Sequence, residues 1–314
     1  MLKAYLQLFR IPNLATVVAD ILAGFLLAHA ALGHWPLLAV TLLCSCLLYT
    51  AGMVLNDYYD IEQDRIERPH RPLVRGAIDV AWAGRLGYLL LVMGVLVGWA
   101  AGYWFSSTAV SQAAYPWRSG MVATALAVCV VAYDRWLKRS MVGPICMGAC
   151  RFLNILLGAS VASLESRSSW WFESYQLAAA GAIGIYIAGV TLFAQSEARD
   201  SSRWRLLLAT AIISLGIGLL AIFPSWLNHE AASAYASRVP LLATCLGLLI
   251  AWRCLRCIPA PTPALVQIAV KTCLMSLIVL DAVIALAVSD AAYAIGILAL
   301  LIPNMLLGRW IAST

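Results

Sequence analysis

Four carboxylates fall within the ten residues LNDYYDIEQD (55–64), although the 314-residue chain has only 15 acidic side chains. Asn56, Asp60 and Asp64 are spaced four residues apart, so on a helix they share one face, with neighbours about 5–6 Å apart. Oxygens at this separation can bracket Mg²⁺, which binds a few carboxylates and leaves positions for phosphate oxygens and water. Asp57 points about 100° away from that face. Its predicted position is therefore behind the ligands.

Arginines follow this acidic run at once, in the stretch RIERPHRPLVRG, at Arg65, Arg68, Arg71 and Arg75. A guanidinium group matches the geometry of phosphate oxygens and can bind two of them together. Carboxylates that hold a metal, next to arginines that bind phosphate, predict a diphosphate site. The alternative is a loop at the membrane boundary whose acidic residues only balance the charge of its arginines.

The elements that carry these residues are built for lipid. Apolar side chains make up 63% of the chain, charged side chains 11%, and the mean hydropathy is +0.86, whereas a soluble domain is about half apolar and about a quarter charged. The apolar blocks are roughly 18–24 residues long, enough to cross a hydrocarbon core about 30 Å thick. We therefore predict an all-α, multi-spanning transmembrane bundle of nine to ten helices, a single membrane domain over residues 1–314. The predicted helices are 13–32, 36–56, 82–105, 119–136, 141–163, 176–195, 204–223, 238–257, 266–288 and 291–308.

The basic residues predict the orientation of this bundle. If the N-terminus is cytoplasmic, all but four of the 21 lysines and arginines lie at or near cytoplasmic ends, as the positive-inside rule requires. Both termini and the loops 57–80 and 195–205 are then cytoplasmic, and the membrane is the inner or plasma membrane of the cell. The net charge of +6 indicates contact with anionic lipid; neither nucleic acid nor an obligate protein partner is expected. The four exceptions are Arg118, Arg151, Arg167 and Arg238.

The acidic and basic stretches together resemble a known family. The resemblance is to the first aspartate-rich motif of the UbiA superfamily of intramembrane prenyltransferases, in Asn56-Asp57-x-x-Asp60-x-x-x-Asp64 and Arg68-Pro69-x-Arg71-Pro72-Leu73. The stretch FRIPN, with Arg10 and Asn13, is similar to the opening of the family. The helix pattern agrees over most of the chain, and the likeness is sharp in residues 10–13, 56–76 and 133–158.

This resemblance implies a central cavity in which an isoprenoid diphosphate is bound through Mg²⁺ and its prenyl group is transferred to a lipophilic acceptor. It implies a metal site at Asn56, Asp60 and Asp64 and catalytic roles for Asp60, Asp64, Tyr133 and Lys138. Mg²⁺ acts as a Lewis acid on the leaving group, and aromatic faces stabilise the allylic cation; Tyr58, Tyr59, Trp82 and Tyr133 are candidates. The diphosphate is expected to contact Arg10, Asn13, Arg68, Arg71, Lys138, Arg151 and Asn154.

The second acidic motif of the family, Asp-x-x-x-Asp after the sixth helix, is altered in this chain. The corresponding stretch is LFAQSEARDSSRWR, in which the position four residues before Asp200 is Ser196. Glu197 and Asp200 are three residues apart and could hold a second Mg²⁺. Alternatively, Arg199 or Arg203 replaces part of the charge of the metal.

Two further positions carry open alternatives. A guanidinium at the centre of a membrane helix costs about 2.5–3.5 kcal/mol to insert, so Arg151, together with Asn154, must face either an anionic ligand or an acidic residue such as Asp20. Asp134 is either an extra metal ligand or a salt-bridge partner of Lys138.

The sequence leaves two functions open. The first is Mg²⁺-dependent prenyl transfer. The second is a UbiA-like protein that binds an isoprenoid without transferring it and assists export of a metabolite. The altered second motif, the tenth helix and a likeness of YDRWLKRSMVGPICMGACRFLN to members from secondary-metabolite export clusters favour this alternative.

Overall fold

The computed structural model describes residues 2–106, 115–161, 172–195, 202–228, 231–259 and 262–311. Within these ranges the chain forms helices and no strand, which confirms the predicted all-α class. The helices are α1 (Leu2–Leu8), α2 (Leu14–His29), α3 (Trp35–Tyr59), α4 (Ile61–Glu67), α5 (Val80–Ser106), α6 (Arg118–Ala132), α7 (Gly143–Ala159), α8 (Ser174–Gln195), α9 (Arg203–Ile222), α10 (Val239–Leu255), α11 (Pro263–Val288), α12 (Ala291–Ala299) and α13 (Leu301–Trp310).

Nine helical stretches of the described chain are long and apolar enough to cross a membrane. The last of them combines α12 and α13, which meet at a turn at Leu300. Helix α7, with 17 residues, is a shorter apolar helix that packs against α2, α6 and α8. These nine stretches and α7 correspond to the ten predicted helices, with ends that differ by a few residues. The protein is a multi-pass integral membrane protein.

Helix α2 lies against α7 and α11 in the interior of the bundle. Glycines let α2 and α7 approach closely: a Cβ on Gly24 would lie 2.1 Å from the carbonyl oxygen of Ile155, and one on Gly158 would lie 2.5 Å from that of Ile21. Small residues permit this kind of backbone contact between membrane helices. The approach brings the polar residues of α7 within reach of Asp20 on α2.

The helix that carries the acidic motif is interrupted where the sequence predicts one continuous face. Helix α3 ends at Tyr59 and α4 begins at Ile61, so Asp60 occupies the joint between them. The backbone hydrogen bonds still run in steps of four: Asp60 N donates to Asn56 O (3.0 Å) and Asp64 N to Asp60 O (2.8 Å). The segment 57–80, predicted as a cytoplasmic loop, contains the end of α3, all of α4 and the start of α5.

Two other irregular segments lie beside this joint. Arg10 adopts a left-handed backbone conformation (φ 46°) between α1 and the 3₁₀ turn Ile11–Asn13. Helix α6 continues into a π-helical turn over Tyr133–Leu137. Strained backbone and π turns are enriched at functional sites, and both segments contribute side chains to the cavity described next.

Candidate functional site

A cavity of about 840 Å³ runs from one end of the bundle toward its middle. We call the end that carries residues 56–71 the acidic end. The volume is typical of sites for small molecules, which are about 300–1,000 Å³. Polar side chains line the cavity at the acidic end: Arg10, Asn13, Asn56, Arg68, Asp134 and Lys138. Apolar side chains line much of the remainder, among them Leu48, Leu126, Val130, Ile187, Val190 and Leu274.

Helix α3 supplies a continuous stripe of the cavity wall. Ser45, Tyr49, Gly52 and Asn56 line it at spacings of three or four residues, which places them on one helical face. Tyr49 was not among the predicted site residues. Its spacing from Asn56 was a usable signal, because residues seven apart lie nearly in line on a helix.

Buried ion pairs hold the motif at the acidic end. Asp57 accepts a hydrogen bond from Arg10 (2.9 Å) and another from Arg71 (3.0 Å), and Arg71 also donates to Asp64. The side chain of Arg71 is only 2% exposed and does not line the cavity. Arg71 joins two carboxylates of the motif, and its contact with the diphosphate stays a prediction. Asp64 also faces Arg71, away from the cavity lining.

Asp60 and Asn56 make the second set of contacts. Lys138, from the end of the π turn, donates to Asp60, and Arg139 lies 3.8 Å from the same carboxylate. The Asn56 amide donates to Asp134 (2.9 Å). The salt bridge between Asp134 and Lys138 that the sequence allowed is not formed, since Lys138 pairs with Asp60. Together Asp57, Asp60, Asp64, Arg71 and Lys138 are called the acidic-end cluster below.

Burial and charge act in opposite directions on this cluster. Burial raises the pKa of Asp64 above its ordinary value, while the guanidinium of Arg71 acts to lower it. For Arg10, burial acts to lower the pKa, but Asp57, Tyr49 and Asp134 together outweigh it, and the pKa lies above the ordinary value of arginine. The positive charge of Arg10 is therefore stabilised by its partners, whereas burial disfavours the negative charge of Asp64 in spite of Arg71.

The oxygen donors at the acidic end suit a hard cation that brings ligands of its own. Among the described residues, no three His, Cys, Asp or Glu side chains converge as a metal site. Asp60 and Asp134 line a smaller cavity of about 180 Å³, and Asp134 and Asn56 also line the main one. Mg²⁺ is commonly bound by one or two carboxylates together with substrate phosphates, so this donor set fits it. Glu197 and Asp200 lie outside the described residues, and the second metal site stays a prediction.

A separate polar group lies deeper in the bundle. Asp20 accepts hydrogen bonds from Arg151 (2.7 Å) and Asn154 (2.8 Å); Arg151 also donates to Thr16 (2.9 Å), and Ser45 donates to Asn154 (2.5 Å). We call these five residues the mid-membrane network. Ser45 is eleven residues from Asn56 on α3, about 16 Å along the helix. The sequence allowed either an anionic ligand or an acidic residue as the partner of Arg151 and Asn154. In the structure that partner is Asp20.

One of the four predicted aromatic residues lines the main cavity. Tyr133 does so from the π turn, nearly buried. The ring of Tyr58 packs against Gly84, so close that an added Cβ on this glycine would meet it. The Tyr59 hydroxyl contacts that of Tyr88. Trp82 is 48% exposed. Tyr133 is therefore the residue of this group that can face a bound prenyl chain.

Residues 17–267 match the model of the UbiA prenyltransferase family. This chain belongs to the UbiA prenyltransferase family. The family resemblance drawn from the acidic motif is thereby confirmed.

Relatives in the family and solved structures agree with this assignment. A digeranylgeranylglyceryl phosphate synthase from Sulfolobus acidocaldarius is 37% identical over 98 residues, 30% of this chain and 34% of the relative. The chain thus spans about a third of the length of the curated relative it matches. A UbiA homologue from Archaeoglobus fulgidus bound to GPP and Mg²⁺ has a TM-score of 0.67 at 13% identity, covering 94% of this chain and 99% of that one. A solved digeranylgeranylglyceryl phosphate synthase has a TM-score of 0.63 at 18% identity, covering 95% and 98%. These structural matches show a shared fold.

Proposed function

We propose that this UbiA family protein transfers a prenyl group from an isoprenoid diphosphate to a lipophilic acceptor inside the membrane, with Mg²⁺ as its cofactor. One observation carries the proposal: a single cavity joins a charged end to an apolar, membrane-embedded lining. A prenyl diphosphate has this same division, because its head is anionic and its chain is hydrocarbon. The GPP and Mg²⁺ bound to a homologue of the same fold support the pairing.

The diphosphate is bound by the cations and amides that line the acidic end. Arg68 lines the cavity and has no acidic partner among the described residues, so its guanidinium is free for phosphate. Lys138 pairs with Asp60 at an edge of the cavity and is 29% exposed, so it can move from the carboxylate to the leaving group. Arg10 and Asn13 complete this contact set. Fixed positive charge aimed at the departing oxygens lowers the barrier to their release.

The metal ligands proposed here are those predicted from the sequence, with Asp134 as an additional ligand. Asn56 and Asp60, with Asp134 added, would hold Mg²⁺, and Asp64 joins them if Arg71 moves aside. The bound ion would supply Lewis-acid stabilisation of the leaving diphosphate. Glu197 and Asp200 are proposed to hold a second ion.

Within the cavity, the apolar walls protect the allylic cation. As the carbon–oxygen bond breaks, its electron pair leaves with the diphosphate and positive charge develops on the prenyl chain. The face of Tyr133 stabilises that charge, and the apolar lining keeps water from trapping it. The names of the relatives favour an acceptor that carries glyceryl phosphate.

The same proposal includes the placement of the protein. We take residues 1–314 as a single membrane domain in the inner or plasma membrane of the cell. The acidic end and both termini are cytoplasmic, which the distribution of basic residues supports.

A pair of substitutions tests the reaction. Asp60→Asn should lower the rate of diphosphate release from geranylgeranyl diphosphate, with geranylgeranylglyceryl phosphate as acceptor, by at least about 100-fold, or about 2.7 kcal/mol. Glu62→Gln is the matched control, because Glu62 lies two residues away, is exposed and pairs with Arg65 (2.9 Å); its rate should stay within about twofold. Equal rates for Asp60→Asn and the parent protein would contradict prenyl transfer. Binding of the diphosphate by the parent protein without turnover would contradict it as well, in favour of the non-catalytic role.

A further inference from the structure

The cavity is lined by more positive charge than the diphosphate site uses. Three of its cations are paired: Arg10 with Asp57, Lys138 with Asp60 and Arg151 with Asp20. Three others have no acidic partner among the described residues: Arg68, Lys271 and Arg309. Arg68 belongs to the acidic motif. Lys271 and Arg309 come from the opposite part of the chain.

These two residues stand on a wall made by α11 and α13. On α11, Val270, Lys271, Leu274 and Met275 line the cavity at helical spacing, and on α13 Asn304, Met305, Gly308 and Arg309 do so. Asn304 is buried, and its side-chain amide has no hydrogen-bond partner in the described chain. Helix α13 contacts the turn Ile11–Asn13 next to Arg10. The wall therefore faces the same chamber as the diphosphate site.

The level of Lys271 along the membrane can be compared with that of Asn56. Asp281 neighbours Asp20 and Arg151 of the mid-membrane network, and Lys271 is ten residues, or about 15 Å, closer to the start of α11. On α3, Asn56 is about 16 Å from Ser45 of the same network. Lys271 and Asn56 thus lie at a similar depth on two different walls.

We propose that Lys271, Arg309 and Asn304 bind the phosphate monoester head of the lipid acceptor. The inference rests on the proposed function and names the class of acceptor. Two anionic heads that meet in one chamber need separate cations, and those of the acidic-end cluster are already matched by carboxylates. Lys271 is exposed, lines the cavity and has no acidic partner among the described residues, so its ammonium group is available to a bound anion. Residues 271–309 lie beyond the stretch 17–267 that matches the family model.

Binding of two matched lipids tests the site. Geranylgeranylglyceryl phosphate and geranylgeranylglycerol differ only in the phosphate, and each is titrated into the full chain in a neutral detergent. The parent protein should bind the phosphate lipid at least about tenfold more tightly. The double variant Lys271→Gln, Arg309→Gln should lose that preference. Its Mg²⁺-dependent affinity for geranylgeranyl diphosphate should stay within about threefold.

The control removes one positive charge from the same end of the bundle, as the single variant Lys271→Gln does. Arg253 on α10 is exposed and does not line the cavity, so Arg253→Gln should keep the preference. An equal loss in Arg253→Gln would overturn the proposal, since the two cations would then act only as surface charge. Equally tight binding of a diacyl phosphatidylglycerol would also overturn it, because the site would then hold bilayer lipid. If glycerol 3-phosphate binds as tightly as the lipid, the proposal is also overturned, because the ligand would then be a soluble phosphate.

Two further readouts keep the test decisive. If the double variant does not fold, Lys271→Arg should keep the preference and Lys271→Gln alone should reduce it; equal behaviour of these two variants would contradict the proposal. No turnover is needed for these measurements. If the parent protein fails to bind geranylgeranyl diphosphate but retains the phosphate preference, prenyl transfer fails while the phosphate site stands.

Discussion

The acidic-end cluster and the mid-membrane network are both built from aspartates paired with basic side chains, but their exposure differs. In the network, Asp20 is 0% exposed and Arg151 15%, and Asp20 Oδ2 accepts hydrogen bonds from both Arg151 and Asn154. At the acidic end, Lys138 is 29% exposed, and its pair with Asp60 borders a cavity. A ligand can replace a partner at the acidic end, whereas in the network Asp20 is fully buried behind its partners, and only Thr16, Ser45, Arg151 and Asn154 line the cavity.

This difference in exposure predicts that the mid-membrane network stabilises the fold and that the acidic end binds the ligand. Removing one member of a buried pair leaves an uncompensated charge in a medium of low dielectric constant, which costs several kcal/mol. A pair beside a polar cavity can be broken at a smaller cost, because water or phosphate oxygens take over the contacts. We therefore expect substitutions in the network to act on stability and substitutions around Lys138 to act on turnover.

The largest stability effect is expected from breaking the network. Arg151→Met should lower the free energy of unfolding by about 3–5 kcal/mol, because Asp20 is left buried and uncompensated. The measurement is denaturation of the purified protein in detergent. Asp20→Asn combined with Arg151→Gln removes both charges and should recover most of the loss. A single variant as stable as the parent protein would show that the network contributes nothing to stability.

At the acidic end, we expect a substitution to lower the rate of catalysis and to leave stability almost unchanged. Lys138→Gln should reduce kcat/KM for prenyl transfer by about 100-fold, or about 2.7 kcal/mol, with little change in Tm. Lys138→Arg keeps the positive charge and should restore part of the rate. If Lys138→Gln unfolds the protein and the rate per folded molecule is normal, the distinction between the two regions fails.

The contact of α2 with α7 gives a smaller stability effect. Gly158→Ala places a Cβ about 2.5 Å from the carbonyl oxygen of Ile21, and such overpacking costs about 1–3 kcal/mol. Gly181 on α8 is the control, because an added Cβ there meets nothing within 4 Å. Thermal unfolding should separate the two variants. If Gly158→Ala and Gly181→Ala have the same melting temperature, the close approach of α2 and α7 is contradicted.

The smallest effect is expected at an exposed pair of the same acidic stretch. Arg65 and Glu62 lie 2.9 Å apart, and their side chains are 59% and 78% exposed. Arg65→Gln should change the free energy of unfolding by less than about 0.5 kcal/mol and should leave the prenyl transfer rate unchanged. A large loss of rate would place Arg65 in the diphosphate site, from which the geometry excludes it.

The helical class, the approximate helix bounds and the family were predictable because they depend on local patterns. Apolar blocks long enough to span lipid specify helices, since every backbone polar group must be satisfied within its own segment. The acidic motif identified the family because its spacing is short-range. The sequence did not predict which charged side chains pair: Arg71 binds Asp57 and Asp64, and Lys138 pairs with Asp60 and not with Asp134. The catalytic, substrate and metal roles of individual residues stay predictions.

The sequence by itself determined that this chain crosses a membrane repeatedly and carries a run of acidic residues followed by arginines between two of its helices, because hydropathy and spacing are properties of neighbouring residues. Only the tertiary structure decided which of those charges face a common cavity and which neutralise one another. The break at Asp60, the left-handed Arg10 and the π turn at Tyr133 are far apart in the chain and lie together at the acidic end. No local pattern encodes which partner a long charged side chain will find, because that depends on the distance between helices and on the space that water and ligands retain.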